Sequence, residues 1–413
     1  MTSTTKSSAK KIQANAADAG DIAPSFEQAV QELETIVQQM EMGNLALDES
    51  FNAYKRGAQL LQTCQTSLNN VEQQVRILTD AGKLVPFNAE NASSWKSLIH
   101  AQLTTMANWM TEHNLDQKET FTIWTASLQA RVEDVLNTQM PSAETIPTRL
   151  HEAMRYSTLG GGKRVRALLA YAAGEFCGAK LSAIDLPAAS VELIHAFSLV
   201  HDDMPCMDDD DLRRGKPSTH KKYGDAMALL VGDALQSLAF QLISQDKLLK
   251  NATQKVQMLH ILALASGSRG MAGGQAIDLD SIGIPLTREE LEHMHIHKTG
   301  ALIRAAALLG AYSAESPSED KLKAIDHFAK SIGLAFQVVD DILDAEADTQ
   351  TLGKTAGKDA RYNKSTYVTI LGLSAAKQLA AELHANAMAA LSYFGREADL
   401  LRQLANFITQ RSF

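Results

Sequence analysis

Six of the ten residues from Asp202 to Asp211 are aspartates. Two carboxylates 4 Å apart near a protein surface repel by roughly 4 kcal/mol, so such crowding asks for a cation among them. A second acidic group, Asp340, Asp341 and Asp344, interrupts the otherwise apolar run Phe336-Gln-Val-Val-Asp-Asp-Ile-Leu-Asp344. Asp340 and Asp344 stand one helical turn apart and therefore share a face. Magnesium takes a few carboxylate oxygens and completes its octahedron with water and phosphate oxygens. Two opposed Asp-rich helix faces would thus hold a diphosphate through bridging ions and neutralise it as it leaves.

Cations complete the pattern. Gly160-Gly-Gly-Lys-Arg-Val-Arg166 is a glycine turn opening a helix, with three cations in four residues. It suits a second diphosphate, held by backbone amides and forked guanidiniums. Arg213 and Arg214 follow the first acidic cluster, and Lys298-Thr-Gly, Lys354 and Lys364-Ser-Thr add cations near the second. Chemistry of this kind needs no Ser/His/Asp or Cys/His nucleophile. Cys64, Cys177 and Cys206 stand too far apart for a zinc site or a disulfide framework, which points to a reducing cytosol.

The elements that must position these groups are helical. At 413 residues two domains are the natural expectation, and 45% apolar residues with 9 prolines and 24 glycines describe a soluble, helix-leaning protein. A net charge of -9, with no basic groove, gives no electrostatic reason to hold nucleic acid directly. Residues 1–24 read as a loose tail without the apolar core of a secretory signal. From Ser25 a heptad seam runs through Phe26, Val30, Leu33, Val37 and Met40. Gly43-Asn44 breaks it, and a second seam follows through Leu47, Phe51, Tyr54, Ala58 and Leu61 to Leu78. Residues 25–80 should fold back as an antiparallel, coiled-coil-like hairpin. Residues 81–120 form a linker carrying an amphipathic helix around Trp95, Leu103 and Trp109. Residues 121–413 form a large helical bundle with no alternating strand pattern. Asp233 and Gln236 in the apolar run Ala226 to Ile243 mark a buried helix rather than a membrane span. The expected fold class is all-α.

The segment Ser25 to Gln65, with its E-x-G-x-L-x-L-D-E run at Glu41 to Glu49, resembles the small subunit of exodeoxyribonuclease VII, and the likeness reaches about Leu78. The resemblance implies a non-catalytic hairpin that binds the large nuclease subunit.

From about Phe121 to its end the chain resembles the bacterial farnesyl diphosphate synthases of the trans-prenyltransferase superfamily. The likeness is carried by D-D-x-x-x-x-D at Asp202, Asp203 and Asp208, and by D-D-x-x-D at Asp340, Asp341 and Asp344. It implies an isoprenoid-synthase bundle working as a homodimer in the cytoplasm, with three magnesium ions on these aspartates. By the same resemblance Asp202, Asp203, Asp208, Asp340 and Lys298 are catalytic. Lys163, Arg166, His195 and Arg214 hold isopentenyl diphosphate, and Arg213, Lys298, Thr299, Gln337, Lys354 and Lys364 contact the allylic diphosphate. Phe197, five residues before Asp202 and so about 7–8 Å deeper along its helix, sets chain length together with Ser198. Gly273-Gly-Gln-Ala-Ile-Asp278 also fits the family pattern. Ala167 and Val368 depart from it, each standing where proline is usual. The implied reaction ionises dimethylallyl or geranyl diphosphate and adds isopentenyl diphosphate to give farnesyl diphosphate. Geranyl or geranylgeranyl diphosphate is the alternative product. A terpene cyclase would not need the Lys163, Arg166 and His195 set, and a role chiefly within a nuclease complex would not need the aspartates.

Overall fold

In the computed structural model the chain divides into two compact units, Met1–Gln117 and Lys118–Phe413. The structure describes Gln28, Glu32, Thr35, Arg56 and Leu60, then residues 117–346 and 365–410. Those first five residues are all helical. Arg56 donates from Nε and Nη2 to the two carboxylate oxygens of Glu32, at 2.6 and 3.0 Å, and Leu60, one turn beyond, is buried. Helical positions 24 residues apart in sequence thus meet side by side, as the expected hairpin requires. The rest of the hairpin, the tail and residues 81–116 lie outside the described residues.

The second unit is helical. Helices α1 (Gln117–Gln139), α2 (Thr148–Thr158), α3 (Val165–Cys177) and α4 (Leu181–Asp202) precede a small antiparallel hairpin, β1 (Leu212–Arg213) and β2 (Lys216–Pro217). Then come α5 (Thr219–Tyr223), α6 (Asp225–Gln245), α7 (Ala252–Ser266), α8 (Met271–Asp280) and α9 (Arg288–His295). A π-helical turn, Ile296–Gly300, leads directly into α10 (Ala301–Ala311). Helices α11 (Glu319–Glu346), α12 (Tyr367–Leu371), α13 (Leu373–Ala390) and α14 (Asp399–Thr409) complete the described chain. Among the described residues the β-hairpin is the one departure from the helical expectation. Arg214 and Gly215 have φ of 52° and 73°, the backbone of a primed two-residue turn, and strands of two residues leave no period-two pattern to read.

Packing explains which helices lie inside. Along α11 the apolar positions Ile325, Phe328, Ala329 and Ile332 recur at helical spacing and join the main core. Farther along the same helix Leu334, Val338, Val339 and Ile342 join a second core with Leu291, Met294 and Tyr367. Helices α3 and α10 touch backbone to backbone, because a Cβ on Gly310 would lie 1.9 Å from the Ala170 carbonyl oxygen. Helices α4 and α6 are long and apolar enough to cross a membrane by length and composition, yet they pack on each other within the bundle. The expectation for Ala226 to Ile243 holds on one face of α6, whereas Leu229 and Leu230 on another stay 48% and 51% exposed.

Candidate active site

Helix α4 delivers Asp202 at its last turn, and the acidic loop that follows folds back onto the helix end. Asp208 N–H donates to the Asp202 carbonyl at 2.9 Å and Asp210 N–H to that of Asp203 at 3.2 Å, so the motif's own backbone satisfies helix-end carbonyls. The six aspartates then divide. Asp203 is buried and clamped by Arg213, whose Nε lies 3.0 and 3.2 Å from its two oxygens. Arg213 also reaches Asp210 at 3.6 Å, and Lys221 pairs with Asp211 at 2.7 Å and Asp209 at 3.7 Å. Asp202 lines a cleft instead. Burial raises its carboxyl to about 6; Lys298 works against that rise, and Asp208 adds to it.

The glycine turn shows a second division of labour. Gly160, Gly161 and Gly162 all have positive φ, and so does Arg164 at 48°. That left-handed residue turns its side chain inward, where the guanidinium meets Glu133 at 2.6 Å, Glu192 at 3.2 Å and the Thr158 carbonyl at 2.6 Å. The expectation that all three cations of the turn face an anion is therefore corrected. Arg164 is consumed by Glu133 and the buried Glu192, Lys163 is exposed, and Arg166 lines the cleft. Glu192 also accepts the Ala167 N–H at 3.0 Å, a bond that proline could not make. Val368, the other departure, sits at the second position of α12, where a helix leaves the N–H without an intrahelical acceptor and either residue fits.

Around Arg166 the charges are finely set. Burial works against its cation, while Glu192 and Asp340 support it. Burial, then the neighbouring Arg166, Arg214, Arg164 and Arg213, hold His195 well below the usual imidazole range, so the ring is neutral at pH 7. Arg214 hydrogen-bonds the Gly161 carbonyl at 2.6 Å, tying the β-hairpin to the glycine turn.

The second acidic motif lies on α11. Asp340 is half-buried and Asp344 exposed. Asp341 is buried, accepting the Tyr367 N–H at 2.8 Å and an amide hydrogen of Gln337 at 3.3 Å. Gln337 in turn accepts the Thr299 hydroxyl at 3.1 Å. Lys298, expected beside this second motif, ion-pairs with Asp278 at 2.6 Å and acts on Asp202 of the first. The π turn that carries Lys298 and Thr299 is gripped closely. A Cβ on Gly274 would lie 2.1 Å from the Lys298 backbone nitrogen, and one on Gly333 would lie 3.0 Å from Gly300. Lys354 and Lys364 fall outside the described residues.

Arg166, His195, Asp202, Lys298 and Thr299 border one cleft of about 350 Å³. Phe197 and Ser198 line it too, Phe197 with its ring edge-on to His201 at 5.1 Å. Met207, Met271 and Leu279 supply an apolar wall. Glu192, Asp278 and Gln275 are site residues that sequence reasoning did not assign. Only the Gly273-Gly-Gln-Ala-Ile-Asp278 string signalled two of them. The aspartates fit a hard divalent cation, since Asp202 is desolvated and has the like charges of Asp208 and Asp203 beside it. Among the described residues no three ligating side chains converge.

Comparison with known proteins agrees with this geometry. The polyprenyl synthetase profile matches residues 147–394, and the exonuclease VII small subunit profile matches residues 26–77. Farnesyl diphosphate synthase of Escherichia coli is 49% identical over 269 residues, 64% of this chain and 90% of that protein. Heterodimeric geranylgeranyl pyrophosphate synthase large subunit 1 of Arabidopsis thaliana is 42% identical over 328 residues, 77% of this chain and 86% of its own length. A crystal structure of an FPP/GFPP synthase from Zymomonas mobilis has a TM-score of 0.64 at 38% identity, covering 70% of this chain and 99% of its own. A geranyltransferase from Helicobacter pylori, complexed with magnesium and isoprenyl diphosphate, has a TM-score of 0.61 at 32% identity, covering 70% and 95%.

Proposed function

This chain belongs to the polyprenyl synthetase family, and on that premise we propose that it condenses dimethylallyl and then geranyl diphosphate with isopentenyl diphosphate to give farnesyl diphosphate. The observation that carries this reading is one cleft bordered both by Asp202 with Lys298 and by Arg166 with His195. A prenyl-chain elongation needs two diphosphates side by side, one ionising and one not, and a cyclase needs only the first.

Asp202, Asp208, Asp340 and Asp344 would hold magnesium, three ions with substrate bound. Asp203 and Asp341 are committed to Arg213 and to Tyr367 N–H, and act by positioning. Bound magnesium offsets the negative charge that collects on the departing diphosphate. Lys298 and Thr299 contact the allylic diphosphate, with Gln337 orienting Thr299. Arg213, Lys354 and Lys364 complete that set by resemblance. Lys163, Arg166, neutral His195 and Arg214 hold isopentenyl diphosphate. The allylic C1–O bond breaks with its electron pair on the diphosphate, the isopentenyl double bond attacks C1, and the proton lost from the adduct passes to diphosphate. Phe197 and Ser198 limit the length of chain the cleft accepts.

Further parts of the reading concern assembly. The half-exposed Leu229 and Leu230 on α6 favour a homodimer of the synthase unit, and the cytoplasm is the compartment the family likeness suggests. Residues 26–77 would dock the exonuclease VII large subunit, with no direct contact to nucleic acid. The central test is incubation of the full chain with magnesium, dimethylallyl diphosphate and isopentenyl diphosphate. A fifteen-carbon product is expected, and absence of any elongated prenyl diphosphate overturns the reading. Co-purification of the full chain with the large nuclease subunit tests the docking role, and light scattering in solution tests the dimer.

A further inference from the structure

Gln275 stands in the middle of the wall that α8 presents to the cleft. Met271 and Leu279 line the cleft one turn to either side of it, and Ala272 and Ala276 complete the stripe. The Gln275 side chain is the exception on this apolar surface. The residue is only 8% exposed, and neither its amide nitrogen nor its amide oxygen has a hydrogen-bond partner among the described residues. A buried amide left in this condition is destabilising, a cost that leucine or methionine at the same point would avoid. A wall that only accommodated a prenyl chain would have no use for it.

From this we propose that the Gln275 side-chain carbonyl stabilises the positive charge that develops on the allylic carbons as the C1–O bond breaks. The inference rests on the prenyl-transfer reading above. Two observations and one chemical argument support the role. Gln275 lines the cleft within the apolar stripe of Met271, Ala272, Ala276 and Leu279, and Lys298, which borders the same cleft, has its Nζ paired with Asp278. Gly274, the preceding residue, lies so close to the Lys298 backbone that no Cβ would fit, so α8 packs directly on the π turn that carries Lys298 and Thr299. A neutral carbonyl dipole is also the suitable chemistry. A carboxylate or hydroxyl there could capture the carbocation as an ester or ether, whereas a fixed amide dipole in a dry cleft stabilises charge without reorganisation. The bond breaks with both electrons leaving on the diphosphate, and Gln275 forms no bond to carbon.

The test compares wild type with Gln275→Met, a replacement of similar length. Turnover of dimethylallyl and isopentenyl diphosphates is measured first on wild type; no elongated product there overturns the prenyl-transfer reading itself. With wild type active, Gln275→Met should lower kcat roughly 10- to 100-fold, the scale on which single preorganised dipoles act, and leave both KM values within about twofold. Two probes separate charge stabilisation from packing. One is the non-ionising thiolo analogue of dimethylallyl diphosphate. The other is an ammonium analogue, with nitrogen in place of the cationic carbon, added with pyrophosphate. The variant should bind the first like wild type and the second about tenfold more weakly. Equal weakening of both, no weakening of either, or an unchanged kcat overturns the inference, and an unchanged melting curve shows that the variant is folded.

Discussion

Asp203 and Arg213 neutralise each other at the base of the acidic loop, the Arg213 Nε sitting between the two carboxylate oxygens at 3.0 and 3.2 Å. Neighbouring Asp202 has no such partner of its own, and burial raises its carboxyl to about 6. Adjacent residues of one motif therefore do different work, one building the loop and one facing the substrate.

Asp203→Asn and Asp202→Asn should consequently fail in opposite ways. Removing one partner of a largely buried pair costs about 3–5 kcal/mol, so Asp203→Asn should lower the melting temperature clearly. For Asp202 the folded pKa lies above the unfolded value of 3.8, so its stability contribution is present at low pH and already lost at pH 7. Asp202→Asn without metal at pH 7 should melt at or above the wild-type temperature, yet lose at least about 100-fold in kcat. Calorimetry alongside steady-state kinetics checks both.

Arg164 does not reach the cleft, but it sets the turn that presents Lys163 and Arg166. Arg164→Lys cannot reproduce a fork shared among Glu133, Glu192 and the Thr158 carbonyl. KM for isopentenyl diphosphate should rise roughly tenfold while KM for the allylic substrate changes little, since a distortion worth about 1.4 kcal/mol is a tenfold change. Glu192→Gln, which keeps an acceptor for Ala167 N–H, should show the same split more mildly.

Phe197 lines the cleft and meets His201 edge to face at 5.1 Å. Phe197→Ala should open space beneath the growing chain and release products longer than fifteen carbons. Product chromatography showing an unchanged chain length would remove Phe197 from the floor of the cleft.

Cys206 is exposed within the first acidic motif, and burial pushes the Cys177 thiol up to about 11. Iodoacetamide at pH 8 should therefore label Cys206 well before Cys177, because only the thiolate reacts. Magnesium with a non-ionising allylic diphosphate should slow labelling of Cys206 and leave that of Cys177 unchanged. Peptide mass mapping over time distinguishes the two.

Much of this protein was legible along the chain. Helical periodicity, the absence of alternating patterns and the two aspartate motifs depend on residues within a turn or two of each other, and local sequence alone determines those. Which charges would be spent inside the fold could not be read that way. Arg164 looked equivalent to Lys163 and Arg166 until its left-handed backbone turned it toward Glu133 and Glu192, and Asp203 looked equivalent to Asp202 until Arg213 closed on it. Lys298 acts on Asp202 although they are 96 residues apart, on a π turn that Gly274 and Gly333 let two distant helices approach closely. Gln275 was visible only as a letter of the Gly273-Gly-Gln-Ala-Ile-Asp278 string, and its unpartnered state was not, because an unpartnered amide is defined only by what fails to surround it. Helix type and motif spacing follow from neighbours in the chain, whereas the division between structural and reactive charges follows from neighbours in space.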